Sequence, residues 1–118
     1  MALKTGRFLT FGDGIAQICG IINDAEEGDR PKEKLIVKER LRFENRTVGL
    51  QRFFDAAQEK ITISRVISLP LISSVSTQDV VVIEGNQYEI KMKQEKFDTR
   101  PASMLLTLSD VEEIYEYK

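Results

Sequence analysis

Two spacings of apolar residues alternate along the chain, and their order predicts the fold. Ile15 to Ile22 is a nearly continuous apolar run of strand length, of the kind covered on both faces. From Leu35 to Val48 the run opens into alternation. Leu41 and Phe43 fall between Arg40, Arg42 and Glu44, the period of two expected for a strand with one wet face. Arg40, Arg42 and Arg46 share that outer face with Glu44. After Gly49 the period changes: Leu50, Phe53, Phe54 and Ala57 stand at i, i+3, i+4 and i+7, which predicts a short amphipathic helix over Leu50–Glu59. A helix that short does not hold its shape alone, so its phenylalanine face has to be pinned against a sheet.

Alternation returns from Ile61 to Leu69, with Ile61, Ile63, Ile67 and Leu69 on one side and Thr62, Ser64 and Ser68 on the other. Arg65 interrupts the apolar side. Pro70 ends the strand because proline has no N–H to give to a ladder. A serine-rich connection, Leu71 to Asp79, leads to Val80–Ile83 and Tyr88–Met92. These flank Glu84-Gly85-Asn86-Gln87, and Gly85-Asn86 between two such runs is a strong hairpin signal. In the second arm Tyr88, Ile90 and Met92 point one way, and Glu89, Lys91 and Lys93 the other. Beyond a turn region, Phe97 to Pro101, residues Met104, Leu106 and Leu108 alternate with Leu105, Thr107 and Ser109. Val111 to Tyr117 fits a helical turn or a frayed strand.

Residues 1–14 carry Gly6, Gly12 and Gly14 and read as a mobile arm. Asn23 to Lys34 is polar, with Gly28 and Pro31, and reads as a long mobile charged loop (23–34) of the functional or disordered kind. About six short strands, one short helix and no βαβ rhythm predict a mainly β domain, a small β-barrel or sandwich with its core in 35–110. No internal repeat is present, and 118 residues suffice for a single domain spanning 1–118.

Composition narrows the chemistry. No stretch approaches the roughly 18 apolar residues of a membrane-spanning helix, so no membrane partner is expected. Met1 to Thr10 lacks a signal-peptide core, and the expected location is the cytosol. There is no histidine, which removes the commonest general base and metal ligand. The single cysteine, Cys19, permits neither an internal disulfide nor a cysteine zinc site. It sits in an apolar run with only Gln17 near, so it reads as a small buried hydrophobe and not a nucleophile. Gly12-Asp13-Gly14 lacks the third glycine and the helix of a dinucleotide turn. Asp13, Asp24 and Asp79 are too far apart in sequence to count as a cation site. No cofactor and no metal is expected.

Net charge is −2, from 17 basic and 19 acidic residues, but it is uneven. Arg30 to Arg52 holds eight basic residues against three glutamates, while Asp110 to Lys118 holds four acids and one lysine. These are either solvated faces or complementary docking surfaces. A nucleic-acid-binding barrel needs exposed aromatics beside its basic residues, whereas Phe43 and Tyr88 fall on the apolar sides of their strands.

One ordered set of segments is more specific. Arg46-Thr47-Val48-Gly49-Leu50-Gln51-Arg52-Phe53-Phe54-Asp55-Ala56-Ala57 precedes a strand ending Ser68-Leu69-Pro70. Then come Gln78-Asp79-Val80-Val81-Val82-Ile83, a turn, Gln87-Tyr88-Glu89-Ile90, and Asp98 to Leu108 with Pro101, Met104 and Leu106. This order over residues 35 to 110 resembles the small head–tail joining proteins (head-closure or adaptor proteins) of long-tailed bacteriophages, especially those of Gram-positive hosts. Many relatives carry a tryptophan in the first strand, which is absent here.

The resemblance implies a non-enzymatic β-barrel that assembles with copies of itself as a ring beneath the portal. Such a ring closes the channel after DNA packaging and offers the tail its attachment surface. The implied partners are a portal or adaptor protein on the head side, a tail protein on the other, and packaged DNA passing through. The implied location is the virion, after assembly in the host cytoplasm. In a ring each subunit meets its neighbours through two different patches. The candidates are Arg40, Arg42 and Arg46 against Glu112, Glu113 and Glu116. In the family a loop from each subunit reaches toward the channel. The candidate segments are Arg46 to Lys60 and Leu71 to Asp79, with Arg52, Gln58, Lys60 and Gln78 facing it. Alternatives are a tail-completion or tail-terminator protein, and, further off, a small nucleic-acid-binding barrel or an enzyme working through carboxylates.

Overall fold

The computed structural model describes residues 7–23, 32–47, 57–58 and 62–118. Their backbone forms nine strands: β1 (Arg7–Phe8), β2 (Gly14–Asn23), β3 (Glu33–Arg46), β4 (Arg65–Pro70), β5 (Val80–Ile83), β6 (Asn86–Lys96), β7 (Thr99–Arg100), β8 (Ser103–Asp110) and β9 (Glu116–Tyr117). Six of them pair in the order β2-β5-β6-β8-β4-β3, and β3 pairs again with β2, so the sheet closes on itself. The mainly β expectation therefore holds, in its barrel form. Closure removes the free edges that an open sandwich sheet would leave to strangers.

Local chemistry explains the joints. Ile83 pairs with Asn86 across Glu84 and Gly85, both with positive φ (51° and 82°), the turn whose twist matches an antiparallel pair. The β3–β4 ladder covers only Glu44–Arg46 against Ser68–Val66, and two residues later Pro70 ends β4. The backbone then turns away, and Leu71 N–H donates to Ala102 O at 3.0 Å.

The barrel is filled by Ile18, Phe43, Ile67, Leu69, Tyr88, Ile90, Met104, Leu106 and Leu108 with smaller neighbours. A second cluster joins Cys19, Leu35, Val80 and Val82, and is covered by Val37, Val111 and Tyr115. The strand Ile15–Ile22 is thus buried on both faces only at Ile18 and Cys19, which feed different clusters. Ile15 and Ile21 are exposed.

Two bulges correct the expected faces. The β2–β3 register skips Lys38, since Ile18 opposes Glu39 and Cys19 opposes Val37. Leu35 and Val37 consequently face the second cluster, while Leu41 and Phe43 face the barrel. In the β6–β8 ladder the register skips Lys91. Met92 therefore opposes Thr107 instead of following Tyr88 and Ile90, and Lys93 takes the position opposite the core residue Leu106.

The expected arm 1–14 is anchored over its described part. β1 pairs in parallel with β7, Leu9 N–H donates to Arg100 O at 3.0 Å, and Leu9 and Phe11 are buried. Of the loop 23–34, Asn23 belongs to β2 and Glu33 and Lys34 to β3, while residues 24–31 lie outside the described part. So does most of the helix expected over Leu50–Glu59; its Ala57 and Gln58 have helical backbone and are exposed.

Candidate functional site

Charge gathers at the two ends of the barrel. At one end, Glu33 opens β3, Glu89 lies on β6, and Glu112, Glu113 and Glu116 follow β8. Together with Lys32, Ile114 and Tyr115 they border a hollow of about 560 Å³. The terminal segment is held there by an amide clamp. Gln87 Nε2 donates to Tyr115 O and Tyr115 N–H donates to Gln87 Oε1, both at 2.8 Å. β9 then joins β3 in parallel, with Lys118 N–H donating to Leu35 O at 3.0 Å. Burial raises the Tyr115 phenol above its ordinary range, and the charges of Glu33, Glu89 and Glu113 add to that.

At the other end, Arg46 closes β3, Lys96 closes β6 and Ser103 opens β8. With Ser68, Asp98 and Thr99 they border a hollow of about 380 Å³. The Thr99 hydroxyl donates to Pro101 O at 2.9 Å and shares a hydrogen bond with Ser103 at 2.7 Å. Ser68 is only 1% exposed, and its hydroxyl has no hydrogen-bond partner. β3, β6 and β8 all run between these ends. From Glu33 to Arg46 is thirteen residues, roughly 40 Å of strand at about 3.3 Å each.

The six expected interface residues are therefore distributed, not gathered. Glu112, Glu113 and Glu116 are exposed at the acidic end, and Arg46 lines the basic hollow. Arg40 and Arg42 are exposed on the flank between them, paired in register with Gln17 and Ile15 of β2. Beside them Ile15, Gln17, Val82 and Tyr117 border a shallow depression. Of the expected channel-facing residues, Arg52 and Lys60 lie outside the described part, and Gln58 and Gln78 are exposed.

Gln78 lies in a connection whose backbone is tied to the barrel at several points. Val75 of the Leu71–Asp79 connection is buried in the barrel, and two lysines at or next to the bulges hold the connection's backbone. Lys93 Nζ donates to Ile72 O (3.2 Å) and Val75 O (2.7 Å), and Lys38 Nζ donates to Ser74 O (3.0 Å) and to Asp79. The segment plugs the barrel through Val75, while Ser73, Ser74 and Ser76–Gln78 are exposed.

Sequence reading overlooked Glu33, Glu89, Lys96, Ser68 and Gln87 as members of these ends. Only closure of the barrel brings β3, β6 and the chain after β8 together, so their spacing in sequence carries no signal. The lone phenylalanine at Phe97, in a polar turn next to Lys96, was the available hint.

The acids set aside as a cation site have structural partners. Asp13 accepts from Asn45 N–H at 2.7 Å, Asp79 pairs with Lys38 at 2.9 Å, and Asp24 is outside the described part. No group of three or more metal-binding side chains occurs among the described residues. Cys19 is fully buried, and desolvation raises its thiol pKa, with Arg40 opposing the shift and Asp79 adding to it. Phe43 and Tyr88 are buried beneath Arg65, whose guanidinium lies 5.3 and 5.8 Å from their ring centres. They offer no exposed stacking platform.

No family model matches the chain, and no curated protein matches it significantly.

Proposed function

We infer that this protein is a structural subunit of the head–tail connector of a long-tailed bacteriophage. It assembles with its own copies into a ring that closes the portal channel after DNA packaging and receives the tail. It works by contact alone, with no bond made or broken.

The ordered motifs over residues 35 to 110 suggest the family, and the closed barrel agrees with the fold that resemblance implies. The observation that carries the reading is the separation of charge. Glu33, Glu112, Glu113 and Glu116 stand at one end of β3, and Arg46 with Lys96 at the other. Groups roughly 40 Å apart along a strand do not satisfy each other within one chain. Between two copies they do, through the unlike patches that a ring requires.

The test is removal of the gene from its phage, followed by electron microscopy of the particles and of the purified protein mixed with portal. The expected result is heads that lose their DNA and stay tailless, and a ring stacked beneath the portal. Heads that remain full and firmly tailed would refute the role. A ring capping the tail tube instead would replace it with tail completion.

A further inference from the structure

The two ends carry more than opposite charge. Among the described residues, Ile114 and Phe97 are the most exposed large apolar side chains, at 76% and 75%. Ile114 stands in the acidic end with Glu112, Glu113 and Glu116, and Phe97 follows Lys96 and precedes Asp98 in sequence, two residues that border the basic hollow. Each is an exposed apolar side chain with charged neighbours, the mixture found where an interface core meets its polar rim.

We propose that the Glu112-Glu113-Ile114 corner of one copy docks into the Arg46–Lys96 hollow of a second copy of this chain. Ile114 covers the half-buried Leu105 in the hollow and packs against Phe97 beside it. Glu112 and Glu113 meet Arg46 and Lys96, which have no carboxylate partner among the described residues. Asp98 offsets one of these cations and Lys32 one of the acids, so the hollow stays net positive and the corner net negative. The unpartnered Ser68 hydroxyl lines the same hollow and offers the incoming segment a donor.

The corner is presented rigidly, because the Gln87 clamp holds the next residue, Tyr115, at both backbone groups. Knob and socket sit at opposite ends of β3, β6 and β8, so a chain cannot fill its own socket. The contact is heterologous and propagates from copy to copy. This inference deepens the ring reading and rests on it for its biological meaning.

The test uses the full chain, Phe97→Ala and Ile114→Ala, by sedimentation velocity over a concentration series, with thermal melts confirming that each variant is folded. Both side chains are exposed, so truncation leaves the core intact. The parent is expected to form oligomers that grow with concentration. Each variant alone is expected to weaken that assembly about tenfold or more, the loss expected for one large apolar contact. An equimolar mixture of the two variants is expected to give dimers and nothing larger, because one intact knob and one intact socket remain. A parent that stays monomeric, a variant that assembles like the parent, or a mixture that stays monomeric overturns the proposal. So does DNA binding at the basic end without self-association. Should the chain assemble through these ends while phage lacking it still join full heads to tails, the contact stands and the virion role falls.

Discussion

Lys38, the residue that the β2–β3 register skips, donates from Nζ to both carboxylate oxygens of Asp79, at 3.0 and 2.9 Å. The same Asp79 accepts from Ser76 N–H at 2.9 Å, so one buried carboxylate joins β3 to the plug. Gly20 completes the fit. A side chain there would meet Lys38 Cδ at 3.1 Å.

Asp79→Ala is expected to strip Lys38 and Ser76 of their acceptor together. Breaking a fully buried pair costs about 3–5 kcal/mol, and Lys38 keeps a third of its side chain exposed. The expected loss is nearer 2 kcal/mol. Lys38→Met/Asp79→Leu is expected to lose less than the sum of the single changes, since neither charge is stranded. Urea denaturation measures all of these, and strict additivity would argue against the coupling.

Gln87→Ala is expected to free the Val111–Tyr117 segment locally while the barrel stays folded. The clamp's two hydrogen bonds are worth about 1–3 kcal/mol together. Hydrogen exchange at Tyr115 and Lys118 is expected to quicken. Cys19, covered by that segment, should begin to react with a thiol reagent. An unchanged thiol rate would mean that the tail is held elsewhere.

Alkaline pH is expected to destabilise the chain through Cys19 and Tyr115. Both are neutral when protonated, and burial lifts both values in the folded state. The folded chain keeps protons that the unfolded chain releases, so their contribution is complete below the ordinary thiol value of about 8.5. It is lost as pH rises through the raised values. Melts of Cys19→Ala and Tyr115→Phe across pH 8 to 10.5 are expected to show a shallower decline than the parent.

Gly14 and Gly12 should respond oppositely to alanine. Gly14 has φ +143°, and a Cβ there would sit 3.1 Å from the Phe43 ring, so Gly14→Ala is expected to cost about 1–3 kcal/mol. Gly12 meets nothing closer than 3.9 Å, and Gly12→Ala is expected to be neutral or stabilising by a few tenths of a kcal/mol. A pair of thermal melts decides it.

The strands were legible because their chemistry is local. Alternation around Leu41 and Phe43 and the Pro70 stop each leave a mark within a few residues, and the hairpin does too, although its turn falls on Glu84-Gly85, one residue before the Gly85-Asn86 signal. The bulges were not legible. Leu35, Val37, Leu41 and Phe43 keep one unbroken parity, and nothing but Glu39 at the parity between them hints that the faces exchange. Met92 misled for the same reason, since it continues the Tyr88–Ile90 pattern in sequence and leaves it in space. The charged ends were half legible. The acidic tail and basic β3 are runs in the sequence, but Glu89 and Lys96 join them only because β6 spans the barrel.

Because β3, β6 and β8 run from the acidic end to the basic end, tension between neighbouring copies would act along the strands. Ladder hydrogen bonds lie across that direction. Pulling would therefore strain many of them in shear at once, instead of peeling them one by one. A barrel built this way resists extension best along the axis on which its own copies would grip it.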